Sequence, residues 1–293
     1  MTAGPSVISP VASPVMVPSP PPLLWFGRVL VAFARREIAT MSGYRVALVV
    51  RLLSFAISVM ALAFFSRMVS AAVNPHLAGY GGDYLAFVVI GLVVMDFQQI
   101  GVTSLAQRIR NAQLMGLFEA ELATPVPTWI VLGVGPVYEF VMAVARAAVY
   151  FALAAIAFGV RFPRASVPTL LVAAPLVVAA FVGIGLVSAA TQMMVRRNNP
   201  VAVFLASASF LLSGVAYPVS VLPPALQAAG RLLPMTHALT LVRGALLRGA
   251  PVTALLEPVL ALGLFAGLLI PTGVALFGLA LRRARVDGSL THY

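Results

Sequence analysis

Thr169-Leu-Leu-Val-Ala-Ala-Pro175-Leu-Val-Val-Ala-Ala-Phe-Val-Gly183-Ile-Gly185-Leu-Val-Ser-Ala-Ala-Thr-Gln-Met-Met-Val195 carries no charged side chain. It is longer than the roughly 20 apolar residues that a helix needs to cross a bilayer core. Pro175, Gly183 and Gly185 do not oppose this reading, because Pro and Gly are more frequent in membrane helices than in soluble ones. Gly183 and Gly185 also permit close helix packing. Outward from this stretch lie comparable runs at Val46–Met68, Tyr84–Leu105, Thr128–Phe158, Val201–Val219 and Val252–Leu281. Composition agrees: the 293 residues are 61% hydrophobic and 9% charged, with mean hydropathy +1.03. A soluble domain averages about 45–50% apolar and about 25% charged residues. The expected fold is an all-α membrane protein with six transmembrane helices.

The net charge is +11, and every basic residue is Arg. Basic chains often bind nucleic acid, but these Arg residues gather at the ends of apolar runs, as in membrane proteins that use them to set orientation. No nucleic-acid partner is expected; the bilayer is. With the N-terminus inside, the inner segments hold Arg28, Arg35, Arg36, Arg45, Arg108, Arg110, Arg196, Arg197, Arg282, Arg283 and Arg285. The outer segments hold only Arg161, Arg164, Arg231, Arg243 and Arg248. The bias predicts both termini in the cytoplasm, an even number of spans and a multi-pass protein of the plasma membrane. Without Lys there is no Walker-type phosphate loop, so the chain alone is expected to hydrolyse no ATP. Without Cys there is no disulfide or thiol chemistry. His76, His237 and His292 are scattered, without metal-ligand spacing; no catalytic residue, metal or bound cofactor is expected.

Residues 1–22 are rich in Pro and Ser and uncharged, and read as a disordered tail. Leu23–Met41 has apolar and basic residues at helical spacing, including Trp25, Arg28, Val29, Ala32, Phe33 and Arg36. Such a helix lies in the membrane interface or packs on the cytosolic side of the protein; the interfacial reading gives an element at 23–45. The transmembrane domain then covers 46–285, and 286–293 is a cytoplasmic tail.

Asp96, followed by Gln98 and Gln99, sits inside the second run. Glu139 and Arg146 are two helical turns apart in the third and share a face. Ionisable groups in hydrocarbon are costly and face a cavity or a partner. They form either an ion relay or a satisfied contact between helices. The contact is favoured, because no chain of carboxylates and His links the two membrane faces. Phe55, Asp96, Phe97, Gln98, Phe204 and Phe210 are candidate lining of a path, although packing explains the aromatics equally well.

Two segments stand out. After the second run comes Arg108-Ile-Arg110-Asn-Ala-Gln-Leu-Met-Gly116-Leu-Phe118-Glu119-Ala-Glu121-Leu-Ala-Thr124-Pro125. As one helix, its Arg residues at the start and Glu residues at the end would oppose the macrodipole. A break at Gly116 removes the conflict. The first piece prolongs the second span, and a short cytoplasmic helix begins near Leu117 and stops at Pro125. After the fifth run, Pro218, Pro223, Pro224 and Pro234 divide the chain into short pieces. Pro224–Leu233 and Thr236–Leu247 are each expected as a short helix, with Thr236 as a cap. Together they suggest a re-entrant or interfacial hairpin on the outer side.

These segments resemble the type-2 ABC exporter permeases. Gly116-Leu-Phe-Glu119-Ala-Glu121-Leu-Ala-Thr124-Pro125-Val126 is similar to that family's G-T-L-E-x-L-L-x-T-P-V loop, with Leu117 in place of Thr and Phe118 in place of Leu. Ser213-Gly-Val-Ala-Tyr217-Pro218, Leu222-Pro223-Pro224, Leu233-Pro234-Met-Thr236-His237 and Arg243 resemble S-G-x-x-[FY]-P-x-x-x-L-P-x-W-L … N-P-L-T-x-x-x-x-x-x-R. The resemblance spans about residues 25–285. It implies a permease that works as a homodimer or related heterodimer with two cytosolic ABC ATPase subunits, which bind the ATP and Mg. It further implies that the Glu119 helix, with Gly116, Phe118, Glu121, Thr124 and Pro125, is the coupling helix between spans 2 and 3. Tyr217, Pro218, Pro223, Pro224, Pro234, Thr236, His237 and Arg243 would build an extracellular gate between spans 5 and 6. The expected function is ATP-driven export of an amphiphilic drug-like, lipid-like or polysaccharide substrate. An ATP-independent channel or secondary transporter is the alternative, and a membrane scaffold a third class.

Overall fold

A computed structural model describes residues 46, 49–50, 52–64, 83–114, 128–162, 164–195 and 200–286, with side chains described throughout except at 112–114, 128–135, 195, 200 and 284–286. The expected tail at 1–22, the amphipathic helix at 23–45 and the short cytoplasmic helix after Gly116 lie outside the described residues.

Among the described residues there are eight α-helices and no strands. They are α1 (Leu52–Phe64), α2 (Tyr84–Leu114), α3 (Thr128–Phe158), α4 (Val167–Val195), α5 (Pro200–Leu212), α6 (Pro224–Arg231), α7 (Pro234–Leu247) and α8 (Leu256–Val286). Four of them, α2, α3, α4 and α8, are long and apolar enough to cross a membrane. α1 and α5 are shorter apolar helices.

Asp83 fixes the start of α2: its Oδ1 accepts from the backbone N–H groups of Leu85 and Ala86 at 2.9 and 3.1 Å. This satisfies two donors that a helix start leaves open. α2 then runs beyond Leu105 through Arg108 and Arg110, as the break inferred near Gly116 requires. The fifth apolar run departs from expectation. Its helix stops at Leu212 instead of continuing to Val219, because Gly214 turns the chain with φ 76° and Pro218 follows. At about 1.5 Å per residue, 13 residues reach only ~20 Å of the ~30 Å core.

α4 is the centre of the bundle, between α2 and α8. A Cβ on Gly185 would lie 2.0 Å from the Gly101 carbonyl oxygen of α2, and one on Gly183 would lie 2.7 Å from Leu269 Cβ of α8. The two glycines are about 200° apart on the helix, so each admits a different neighbour. Ile90, Val94, Ala173, Val177, Phe181 and Leu262 are buried in the main core these helices share. Ile109, Ala189, Met193, Phe277 and Ala280 form a second cluster towards the other end. These contacts make α2, α4 and α8 parallel.

α3 and α5 run the opposite way. Asp96 and Phe97 of α2 meet Arg146 and Phe140 of α3, and Gln98 of α2 meets Leu205 and Ser209 of α5. Phe55 of α1 stacks on Tyr150 with ring centroids 3.9 Å apart, while Leu62 packs near the start of α2. Direction therefore alternates along α1 to α5, and α8 resumes the direction of α2 and α4. The starts of α2, α4 and α8 share one end of the bundle with the ends of α3 and α5.

Candidate functional site at one end of the bundle

α5 delivers the chain to that end, where α6 and α7 lie. Pro224 and Pro234 open the two helices; a first-turn Pro loses no hydrogen bond, because the first N–H groups of a helix have no internal partner. α6 is mostly exposed. It seats on the end of α5 through Gly230, where a Cβ would meet the Leu212 carbonyl oxygen at 2.5 Å. α7 is mostly buried, including Met235, Ala238, Leu239, Leu241 and Ala245. It packs on α2, α4 and α8. The burial of α7 rules out a hairpin lying wholly on the surface.

Polar contacts close the pair. Thr236 Oγ1 donates to the Gly230 carbonyl at 2.6 Å, and His237 Nε2 lies 2.9 Å from the Arg231 carbonyl. Gln227 Nε2 donates to the Leu222 carbonyl at 2.7 Å, and the Tyr217 hydroxyl donates to the Leu211 carbonyl. Partial burial pushes the Tyr217 phenol above its ordinary range. Thr236 is not the expected cap: α7 begins at Pro234 after Leu233, and Thr236 instead ties α7 back to α6. Pro218 is buried, whereas Pro223 and Pro224 are exposed.

Arg243 is the most deeply placed of the cations counted with the outer segments. Counted with the outer segments and implied as a gate residue within the second short helix, it is only 3% exposed and sits inside the bundle. Its Nη1 donates to the Gly214 carbonyl at 2.8 Å and its Nη2 to the Val215 carbonyl at 2.8 Å. Nε and Nη2 reach the Phe87 carbonyl of α2 at 3.2 and 3.0 Å. The guanidinium also lies over the Phe87 ring, 3.3 Å from its centroid. The fork geometry suits Arg, whose donors fan out in one plane. Gly91 makes room: a Cβ there would sit 2.3 Å from the Val215 oxygen and 2.9 Å from Arg243 Nη2. One side chain thus joins α7, the turn after α5, and α2. The outer cations left from the Arg tally are Arg161, Arg164, Arg231 and Arg248, all exposed.

The sequence matches the family described as ABC-2 type transporter over residues 28–247, which takes in every element from α1 to the last residue of α7. The chain belongs to that family. No curated protein matches it. ABC-2 membership, with the four long apolar helices, makes it a transmembrane component of an ABC transporter and a transport subunit. The ABC-2 match ends short of the 25–285 read from the motifs and leaves α8 outside it.

The other residues singled out from the sequence are not one cluster in this ABC-2 protein. Gly116, Phe118, Glu119, Glu121, Thr124 and Pro125 lie outside the described residues. Phe204 and Phe210 point outward from α5, with Phe204 69% exposed. Phe55 belongs to the α1–α3 contact and Phe97 packs near Phe140, their ring centroids 6.4 Å apart. Gln98 is buried, and its Nε2 donates to Ser209 Oγ at 2.8 Å. Asp96 Oδ2 accepts from Arg146 Nε at 3.4 Å, joining α2 to α3 with Arg146 buried. The pair is a contact between two helices, α2 and α3. Arg146 Nη2 and Gln98 Oε1 have no hydrogen-bond partner among the described residues. Sequence reasoning missed the Asp96–Arg146 pair, although the two lie at matching depth in adjacent runs. It also missed Phe87 and Gly91, which carry no signal outside the fold.

Proposed function

We propose that this chain is the permease subunit of an ATP-driven exporter, with six spans and both termini in the cytoplasm of a plasma-membrane protein. The observation that carries the reading is the family match across the whole stretch holding both motif segments. The alternating helix directions and the exposed Arg residues at both ends support the topology; in it, α1 and α5 are the first and fifth spans. Two permease copies, identical or related, enclose the path. Two cytosolic ABC ATPase subunits bind the ATP and Mg and dock on the helix beginning near Leu117, with Glu119 at the contact. The α6–α7 pair is the extracellular gate, held by Arg243. The substrate is amphiphilic, drug-like or lipid-like, in preference to a polysaccharide, in keeping with the short polar segments and apolar helices.

The deciding experiment is reconstitution of the permease with an ABC ATPase and measurement of ATP turnover with and without candidate substrates. The permease alone is expected to show none, and the complex to show turnover that rises with a transported amphiphile. Transport that proceeds in vesicles without any ATPase would overturn the reading in favour of a channel or secondary transporter.

A further inference from the structure

A groove of about 770 Å³ opens on the side of the bundle between α2, α3, α4 and α8. Phe140, Val141, Val144, Val182, Val274 and Phe277 are among its lining, and among the described residues no charged one lines it. Its rim continues onto exposed apolar surface at Val137, Val141, Val144 and Val274. In a membrane protein such a surface faces acyl chains, so the groove opens to hydrocarbon and not to water. Volumes of roughly 300–1,000 Å³ are typical of sites that hold one small molecule.

The ends of the groove differ. Leu105, Leu281 and Gly278 line it towards the end of the bundle opposite the α6–α7 pair. One turn past Gly278 on the same face of α8 stands Arg282, exposed, with Arg283 beside it. One turn past Leu105 on α2 stands Arg108, half exposed. Glu139, half-buried next to Phe140 on α3, is the acid among the described groups near this rim. An apolar trough with cations at its head matches an amphiphile with an anionic head and a hydrocarbon tail. Basic pockets between spanning helices on the cytoplasmic side bind such headgroups.

We propose that this groove binds one anionic phospholipid, its acyl chain along Phe140, Val141 and Val274 and its phosphate at Arg282. The lipid is distinct from transported cargo, since the groove lies between helices of one chain and away from the α6–α7 pair. Which leaflet supplies it depends on the proposed topology; the existence of the site does not.

The test uses the full chain with Trp25 and Trp129 changed to Phe, and a single reporter Trp introduced by Val274→Trp in the groove. Leu276→Trp, at the same depth on another face of α8, is the control. Vesicles mix plain phosphatidylcholine with phosphatidylglycerol brominated on its chains, at one composition in both leaflets. An Arg near an anionic headgroup contributes about 1 kcal/mol, so half-quenching at Val274→Trp is expected at about fivefold less phosphatidylglycerol than at Leu276→Trp. Arg282→Gln should erase the difference and Arg282→Lys should retain it. Equal quenching at the two positions means ordinary annular lipid and overturns the proposal. A groove reporter that no brominated lipid quenches means that protein covers the site, a second copy or another segment of this chain, and overturns it too. Preferential quenching that survives Arg282→Gln overturns the assignment of the headgroup.

Discussion

Replacing Arg243 by Met tests whether one buried cation holds the hairpin end of the bundle together. Met keeps much of the length and apolar volume but removes every donor. Phe87 lies within regular α2, so its carbonyl keeps the helical donor four residues on. The loss therefore falls on the Gly214 and Val215 carbonyls, each now 2.8 Å from a guanidinium nitrogen. An unsatisfied buried acceptor costs about 1–3 kcal/mol, and the contact with the Phe87 ring adds about 0.5–2 kcal/mol. Removing the cation also removes its own desolvation cost, which brings the expected net loss to about 3–5 kcal/mol. At ~2–4 °C per kcal/mol for a chain of this size class, Arg243→Met should lower the melting temperature in detergent by roughly 6–20 °C. Arg243→Lys should fall between, because a point cation cannot span three carbonyls in a plane. Gly91→Ala should mimic Arg243→Met without removing a donor, since its Cβ would press on the Val215 oxygen and on Arg243 Nη2. The measurement is thermal unfolding of the purified protein followed by light scattering or a hydrophobic dye. If Arg243→Met and Gly91→Ala both melt within about 2 °C of wild type, the carbonyl cage is not what holds this end.

Asp96→Asn should reduce membrane yield more than the double replacement Asp96→Leu with Arg146→Leu, because a buried cation without its partner costs more than a missing pair; quantitative blotting of membranes reads the difference. Gly185→Val should abolish stable folding, as its Cβ alone would lie 2.0 Å from the Gly101 oxygen, whereas Gly263→Val, on a face with nothing within 4 Å, should leave yield unchanged. Glu119→Gln should cut transport several-fold and uncouple ATP turnover from substrate, while Glu121→Gln, on another helical face, keeps both; equal near-wild-type transport in the two variants would end the assignment of Glu119 to coupling. Pro234→Ala should impair transport while leaving ATPase assembly intact, as measured by co-purification, because α7 keeps its burial but loses its fixed start.

The sequence by itself determined that the chain belongs in a membrane and where its long helices run. Those facts depend on local composition: a continuous apolar run has no stable place in water, and its length sets what it can cross. The second, third, fourth and sixth runs became long helices for that reason. The motif order also points to the family from residues alone, independently of packing. Local pattern failed where backbone conformation at one residue outweighed hydropathy. The fifth run reads as apolar to Val219, yet Gly214 at positive φ ends its helix at Leu212. Local pattern is silent on the burial of Arg243, because a cation within a short amphipathic helix carries no local sign of what surrounds it. Only the tertiary structure brings three carbonyls and an aromatic face from distant parts of the chain around it and so offsets the cost of burial. The partnership of Asp96 with Arg146 was likewise decided by which helices are neighbours. Neighbours are chosen by surface fit, above all by Gly183 and Gly185 admitting α8 and α2 to opposite sides of α4.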